Sequence, residues 1–276
     1  MVNSRQGPIG VFDSGYGGLT VFKEIVRLLP EYDYVYLGDN ARVPYGTRTF
    51  ETVYQYTWEC TRALFEMDCP LVILACNTAS AKALRTIQMT NLPVYPEEKK
   101  VLGVIRPTTE RIGEFTKTKH VGILATPGTV KSESYRIEIE KFFPEIQVYQ
   151  EACPIWVSLV ESNEIDTAGA AYFVKKHIDQ LLKQSPLIDT IILACTHYPL
   201  LYPLIRKFTP PQISVIEQGE LVAESLKEYL TRHHELSTRL TKGGTKKFYT
   251  TENPRIFNDK GGVFFGKEVY STQIFV

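Results

Sequence analysis

The sequence has no long apolar run. Its longest, residues 69–76, is far shorter than the about 20 apolar residues that a membrane-spanning helix needs. The opening residues, MVNSRQGPIG, contain no apolar stretch like the one at the centre of a secretory signal. We therefore expect neither membrane association nor a secretory leader.

An excess of either charge is also missing. Lys and Arg number 31, Asp and Glu number 31, and the pI is about 7.0. Proteins that bind nucleic acid or anionic membranes through charge usually carry a basic excess. The balance predicts no nucleic acid and no membrane surface as a main partner.

Cysteine is scarce: the 276 residues include five, and no two of them form a CxxC pair. A zinc ribbon or a paired redox site needs that spacing, and disulfide frameworks use cysteine more densely. The sequence therefore predicts free thiols, no metal site and a location in the cytoplasm.

Apolar material is present in the amount that a full core requires. Hydrophobic residues make up 43% of the chain and charged residues 22%, and the length corresponds to about two domains. The apolar residues are grouped in short continuous runs, most of them about four to six residues long. Such runs are typical of strands covered on both faces. They predict strands at 9–12, 34–37, 71–75, 101–104, 121–124, 147–149, 190–194 and 214–216.

Helical periods lie between these runs. Within 50–65 and 174–182, large apolar residues recur three or four apart, as on one face of a helix. Alternating strands and helices are typical of an α/β fold with mostly parallel sheets. A further helix is predicted at 220–229, followed by residues rich in strand formers at 248–251 and 270–275.

The chain also repeats itself. GVFDSG at 10–15 is followed by ILACNT at 73–78, and GILATPG at 122–128 is followed by ILACTH at 192–197. A repeat of strand, small-residue loop, helix and later strand predicts two similar lobes related by a pseudo-twofold axis. We assign residues 1–105 plus 218–276 to the first lobe and 106–217 to the second. The active site is expected in the cleft between them.

Cys76 and Cys195 each follow a predicted strand and precede a predicted helix. Ligands of open α/β sheets bind at the carboxyl ends of strands, where helix N-termini offer free N–H groups and a positive dipole. That position is expected to lower the pKa of a thiol and to bind a carboxylate. The other three cysteines, Cys60, Cys69 and Cys153, are interpreted as packing residues.

The glycine-rich loop Asp13-Ser14-Gly15 follows the first predicted strand. It matches neither the P-loop nor the GxGxxG dinucleotide pattern. Two interpretations remain open from the residues alone. Asp13 caps the next helix, or Asp13 and Ser14 face a bound ammonium group.

Several motifs resemble those of glutamate racemases in the aspartate/glutamate racemase family. They are GVFDSGYGGLTV, LGDNARVPYG, ACNTASA and ACTHYPLL, with ATPGTVKSESY and ACPIWVSLVES as further segments. The resemblance covers residues 9 to about 207. Arg106 departs from the acid or small residue usual in the family, and Asn40 from the usual threonine.

The resemblance implies a two-base mechanism without a cofactor, which interconverts L- and D-glutamate and supplies D-glutamate for peptidoglycan. Cys76 would act on D-glutamate and Cys195 on L-glutamate. Asp13 would assist Cys76, and His197 with Glu161 would assist Cys195. The residues implied to bind substrate are Asp13, Ser14, Tyr45, Gly46, Asn77, Thr78, Thr126, Thr196 and His197. Members of the family also form homodimers, which we expect here.

Other functions remain open from the residues alone. A racemase of aspartate or another amino acid would differ only in pocket depth. A pyridoxal phosphate racemase would need a Schiff-base lysine, and no such lysine stands out. A thiol redox protein could pair the two distant cysteines, and a binding module could keep the fold without activity.

Overall fold

Two parallel β-sheets form the framework of the molecule. The computed structural model describes residues 6–96 and 98–276. The first sheet has six strands in the order β10-β9-β2-β1-β3-β4, and the second has four in the order β6-β5-β7-β8. Every strand pair in the described ranges is parallel.

The strands are β1 (Ile9–Asp13), β2 (Tyr34–Gly38), β3 (Leu71–Leu74), β4 (Lys100–Gly103), β5 (His120–Ala125), β6 (Gln147–Ala152), β7 (Thr190–Ala194), β8 (Ser214–Ile216), β9 (Lys246–Thr250) and β10 (Ser271–Gln273). The helices are α1 (Leu19–Leu28), α2 (Phe50–Glu66), α3 (Asn77–Lys82), α4 (Leu84–Thr86), α5 (Ile105–Thr109), α6 (Pro127–Lys131), α7 (Ser134–Phe142), α8 (Trp156–Glu161), α9 (Ala168–Gln184), α10 (Tyr202–Phe208), α11 (Gly219–Arg232), α12 (His234–Ser237) and α13 (Pro254–Phe265). A π-helical turn covers Ile87–Asn91, and 3₁₀ turns cover Asn40–Arg42, Leu92–Val94, Ile112–Glu114 and Tyr198–Leu201.

Each of the eight apolar runs lies on a strand, so the predicted α/β class with parallel sheets is confirmed. The central strands β1, β3 and β7 are buried along their whole length. The largest error is in β6, which continues to Ala152 although a strand of only 147–149 was predicted. This strand lies at a sheet edge and is only partly buried. Its polar residues Gln150 and Glu151 therefore interrupt the apolar run on which the prediction relied.

The two sheets share one strand order. In each half of the chain, the first strand lies between the second and the third, and the fourth lies next to the third. The orders are β2-β1-β3-β4 and β6-β5-β7-β8. The chain therefore leaves the middle strands of both sheets at equivalent places. Asp13 ends β1, Thr126 follows β5, and Cys76 and Cys195 come just after β3 and β7. This agrees with the repeat found in the sequence.

The tail of the chain extends the first sheet. Strand β9 pairs with β2, and β10 pairs with β9. Helix α13 lies between them in the chain and packs on α1. The domain boundaries at 105/106 and 217/218 stay a prediction, although the tail strands join the sheet to which that prediction assigns them.

One continuous apolar cluster connects the two halves. Its buried members include Val11 and Ile73 from the first sheet and Leu124 and Leu193 from the second. Burying apolar area contributes roughly 25 cal/mol per Å², so a shared cluster of this kind holds the sheets against each other. No helix in the described ranges is both long and apolar enough to cross a membrane.

Candidate active site

A small pocket lies where loops from the two sheets meet. The space open to the centre of a water molecule is about 50 Å³. Among the residues singled out from the sequence, the structure places all except Asp13 in its lining: Ser14, Tyr45, Gly46, Cys76, Asn77, Thr78, Thr126, Glu161, Cys195, Thr196 and His197. Loops far apart in sequence thus converge because the carboxyl ends of parallel strands share one edge.

Cys76 occupies the N-cap position of α3. Its sulfur accepts a hydrogen bond from the Ala79 N–H at 3.4 Å, and its thiol donates to Ser14 Oγ at 3.5 Å. Burial and the nearby Asp13 charge raise the pKa of Cys76 to about 12, although the Ser14 and Ala79 contacts lower it. The expected lowering was therefore wrong for this thiol, because desolvation outweighs the helix N-terminus in so dry a pocket.

Cys195 has a different neighbour. Its sulfur lies 3.9 Å from Nδ1 of His197, and Nε2 of that ring lies 2.9 Å from Oε1 of Glu161. Burial lowers the pKa of His197, but the hydrogen bonds to Cys195 and Glu161 outweigh it and raise the pKa to about 10. The arrangement places a charged imidazole ring beside this thiol, and Cys76 has no such partner.

Asp13 is fully buried beneath the pocket. Its Oδ2 accepts a hydrogen bond from the Gly15 N–H at 2.9 Å, whereas Oδ1 has no hydrogen-bond partner among the residues that the structure describes. Burial raises the pKa of Asp13, while the His197 charge and the N–H groups of Gly18 and Gly15 act against it. A buried carboxylate oxygen without a donor is costly, so this one is suited to an arriving cation.

Both ends of the Asn77 side-chain amide are hydrogen-bonded within the protein. Its Nδ2 donates to Gln218 Oε1 at 2.7 Å, and its Oδ1 accepts from the Tyr135 hydroxyl at 2.6 Å. The second hydrogen of Nδ2 and the backbone N–H in the first turn of α3, where helical N–H groups lack intrahelical acceptors, are the donors that Asn77 can still offer to a substrate carboxylate. The role of Asn77 in substrate binding stays a prediction.

Gln218 and Tyr135 are polar residues that the sequence analysis missed. Nε2 of Gln218 donates to the Tyr135 hydroxyl at 2.6 Å and to Thr108 Oγ1 at 2.9 Å. With Asn77, the group connects α3, α5, α7 and the residue before α11 through buried hydrogen bonds. Asn77 and Tyr135 belong to the motifs ACNTASA and ATPGTVKSESY, but no local pattern shows that they bond to Gln218, which lies far away in the chain.

Three threonine hydroxyls form a cluster at the wall of the pocket that includes Thr78 and Thr126. Oγ1 of Thr78 lies 3.0 Å from that of Thr126, which lies 3.1 Å from that of Thr129. Thr126 also accepts the Thr129 N–H and so caps α6. The cluster joins the start of α3 to the start of α6, and its hydroxyls can redirect their protons toward a carboxylate.

The hydroxyl of Tyr45 is hydrogen-bonded within its own loop. Its hydroxyl donates to Asp39 Oδ2 at 2.5 Å, and the same oxygen accepts from Arg42 Nε at 2.7 Å. Asp39 and Arg42 thus hold the loop after a cis Val43–Pro44 bond, a role that sequence reasoning missed. Backbone groups at Tyr45 and Gly46 remain the part of this loop suited to substrate. Gly46 approaches so closely that a Cβ there would lie 2.9 Å from the Thr126 Cβ.

The two departures from the family pattern lie outside the pocket lining. Arg106 is exposed and donates to Glu110 Oε1 at 2.6 Å, one turn along α5. Asn40 is buried, and its Oδ1 accepts from Thr250 in the tail strand β9. Neither residue touches the thiols.

A larger cavity of about 550 Å³ lies behind Cys195, between α1 and α11. Cys195 and Thr196 contribute to it, but Cys76 does not. Inverting a stereocentre needs a proton-transfer group on each face, so the smaller pocket is the one suited to that chemistry.

The chain belongs to the Asp/Glu/Hydantoin racemase family, whose model matches residues 9–226. Among curated relatives, a glutamate racemase of a Sulfurihydrogenibium species is 37% identical over 260 residues, which cover 94% of each chain.

Solved structures agree in both fold and length. A glutamate racemase isoform from Bacillus anthracis superposes with a TM-score of 0.88 at 33% identity, covering 98% of each chain. A glutamate racemase from Francisella tularensis, solved in complex with D-glutamate, superposes with a TM-score of 0.86 at 30% identity. That match covers 100% of this chain and 98% of the other.

Proposed function

We propose that this chain is a glutamate racemase, an isomerase that interconverts L- and D-glutamate without a cofactor through two cysteines. One observation carries the proposal: Cys76 and Cys195, which follow strands of different sheets, line the same small pocket. Removing a proton from one face of a stereocentre and returning one to the other face requires two such groups.

The surroundings of the thiols suit opposite tasks. A Cys76 whose pKa is raised by burial is held as a thiol, the form that delivers a proton. Cys195 lies beside the charged His197 ring, which can stabilise a thiolate. With Cys195 as the thiolate and Cys76 as the thiol, Cys195 would take the α-proton of L-glutamate. Cys76 would then protonate the opposite face to give D-glutamate.

The reverse reaction needs Cys76 as the base. The negative charge of Asp13 is one of the causes that raise the pKa of Cys76. A substrate ammonium group bound at the free Oδ1 of Asp13 would neutralise that charge and make the thiolate easier to form. Asp13 would thus bind the amino group and assist Cys76 by the same contact.

Negative charge grows on the α-carboxylate as the α-proton leaves. N–H groups at the start of α3 and the hydroxyls of Thr78, Thr126 and Thr196, which line the pocket, would donate to it. Backbone groups of Tyr45 and Gly46 would bind the side-chain carboxylate. The relative from Francisella tularensis, solved with D-glutamate, supports glutamate as the substrate.

The wider setting follows from the same reaction. We propose that D-glutamate made by this enzyme supplies peptidoglycan synthesis and that the protein works in the cytoplasm. We propose a homodimer as its assembly.

Exchange of the α-proton in D₂O, followed by NMR without added cofactor, tests the proposed function. We expect exchange with inversion for both enantiomers of glutamate and little for either enantiomer of aspartate. Exchange of aspartate alone would keep the mechanism and change the substrate. Folded, reduced protein that exchanges neither amino acid would refute the racemase function.

A further inference from the structure

The pocket holds no basic side chain from Lys or Arg in the described part of the chain. Its charged lining residues are Glu161 and His197, and Asp13 lies just beneath. Glutamate carries two carboxylates and one ammonium group. His197 is already bonded to Glu161, so the second carboxylate lacks a positive partner within the lining itself.

The ammonium of Lys82 lies behind the wall formed by Gly46 and Thr126. Lys82 is the last residue of α3 and is only 7% exposed. Its Nζ donates to the Arg48 carbonyl oxygen at 2.5 Å and lies 5.0 Å from the centre of the Phe50 ring. Within residues 6–96 and 98–276, this ammonium forms no ion pair, and the charge of Glu51 acts on it from beyond ion-pair distance.

Lys82 comes close to the backbone of two glycines, Gly46 and Gly128, at the edge of the pocket. The Gly128 N–H donates to the Gly46 carbonyl oxygen at 2.8 Å. A Cβ built on Gly128 would lie 2.8 Å from that oxygen and 2.9 Å from Lys82 Nζ. The ammonium thus approaches the backbone of the wall where the side-chain carboxylate would bind.

We propose that Lys82 determines specificity for a side-chain carboxylate. From behind the wall formed by Gly46 and Thr126, it supplies the positive charge that the pocket lining lacks. The inference rests on the proposed function, since it concerns the distal carboxylate of glutamate. Coulomb attraction is stronger in the low-dielectric interior of a protein than in water, so the charge can act without direct contact.

The test compares three variants with the wild type. Lys82→Met removes the charge and keeps the length, Lys82→Arg keeps the charge, and Lys131→Met removes an exposed charge near Lys82 as the matched control. KM and kcat are measured for D-glutamate. The inhibition constant is measured for D-glutamine, which differs from it by an amide in place of the carboxylate.

If Lys82 recognises the charge of the side-chain carboxylate, its loss should affect KM for D-glutamate more than the inhibition constant for D-glutamine. Lys82→Met should raise KM about tenfold and change kcat less than about threefold, while D-glutamine inhibition changes less than about twofold. Lys82→Arg should restore KM to within about threefold of the wild type, and Lys131→Met should leave it unchanged. An unchanged KM in Lys82→Met, or an equal loss for D-glutamine, would overturn the proposal.

The wild type provides a second test that is independent of whether a variant folds. Its inhibition constant for D-glutamine should exceed its KM for D-glutamate by at least about tenfold, and equal values would overturn the role of Lys82. Failure of the proposed function would look different. The wild type would then exchange no α-proton of glutamate, whatever residue stands at position 82.

Discussion

Oε1 of Glu161 lies 2.9 Å from Nε2 of His197, whose other ring nitrogen faces the Cys195 sulfur. The three groups form a chain of carboxylate, imidazole and thiol. Helix α13, in the C-terminal tail, contacts two of these three residues. Lys260 of α13 donates to the Glu161 carbonyl oxygen, and the Phe264 ring packs edge-on against His197 at 5.5 Å. The geometry selects Glu161 from the acids of this region as the partner of His197.

Glu161→Gln should lower the pKa of His197, because it removes the negative charge and the strong acceptor that raise it. We expect the His197 titration to move toward 6.5 and kcat/KM to fall by about 10- to 100-fold. NMR titration of the imidazole and a pH–rate profile measure the two effects. Glu164→Gln, an exposed neighbour, is the matched control. Identical titrations in the two variants would remove Glu161 from the mechanism.

Stability should also depend on His197. Its pKa is about 10 in the folded protein and about 6.5 in the unfolded chain, so folding favours the protonated ring. This contribution is fully present below pH 6.5 and is lost as the pH rises through 10. Urea unfolding of the wild type and of His197→Gln should therefore differ most at low pH and converge at high pH. A constant difference would contradict the raised pKa.

The strands could be predicted from the sequence because burial on both faces leaves an uninterrupted apolar run. All five residues of β7, Thr190–Ala194, are buried, and they match their prediction. The convergence of Cys76 and Cys195 could also be foreseen, since the repeat places both after equivalent strands. These features depend on local pattern and on the general geometry of parallel sheets.

The details that could not be predicted depend on distant partners. The Asn77 amide is occupied by Tyr135 and Gln218, which are 58 and 141 positions away in the chain. The pKa of Cys76 is raised because the folded pocket excludes water and places Asp13 nearby. Neither effect leaves a signal in the neighbouring sequence.

Asp13→Asn should slow catalysis more than it weakens substrate binding. The amide oxygen can still accept the Gly15 N–H, but the charge that would bind an ammonium group is gone. We expect kcat to fall about 100-fold and KM to change less than about fivefold, because the carboxylate contacts of the substrate remain. Steady-state kinetics in both directions provide the measurement. Unchanged rates would reduce Asp13 to a structural residue of its turn.

Replacing either Cys76 or Cys195 with serine should reduce racemisation by about three orders of magnitude or more, because a serine hydroxyl is far less acidic than a thiol. The two enantiomers have equal free energy, so kcat/KM falls equally in both directions and cannot assign a face to each thiol. Cys69→Ala, which alters a buried packing cysteine, is the control. Near-normal turnover in either serine variant would refute the two-thiol mechanism.

Solvent exchange can assign the faces. In Cys195→Ser, the remaining thiol of Cys76 should exchange the α-proton of D-glutamate for deuterium while the configuration is retained. In Cys76→Ser, the remaining thiol of Cys195 should do the same for L-glutamate. NMR in D₂O with chiral analysis separates exchange from inversion. The opposite pairing would keep two bases and reverse their assignment, which would also reverse the roles proposed for Asp13 and His197.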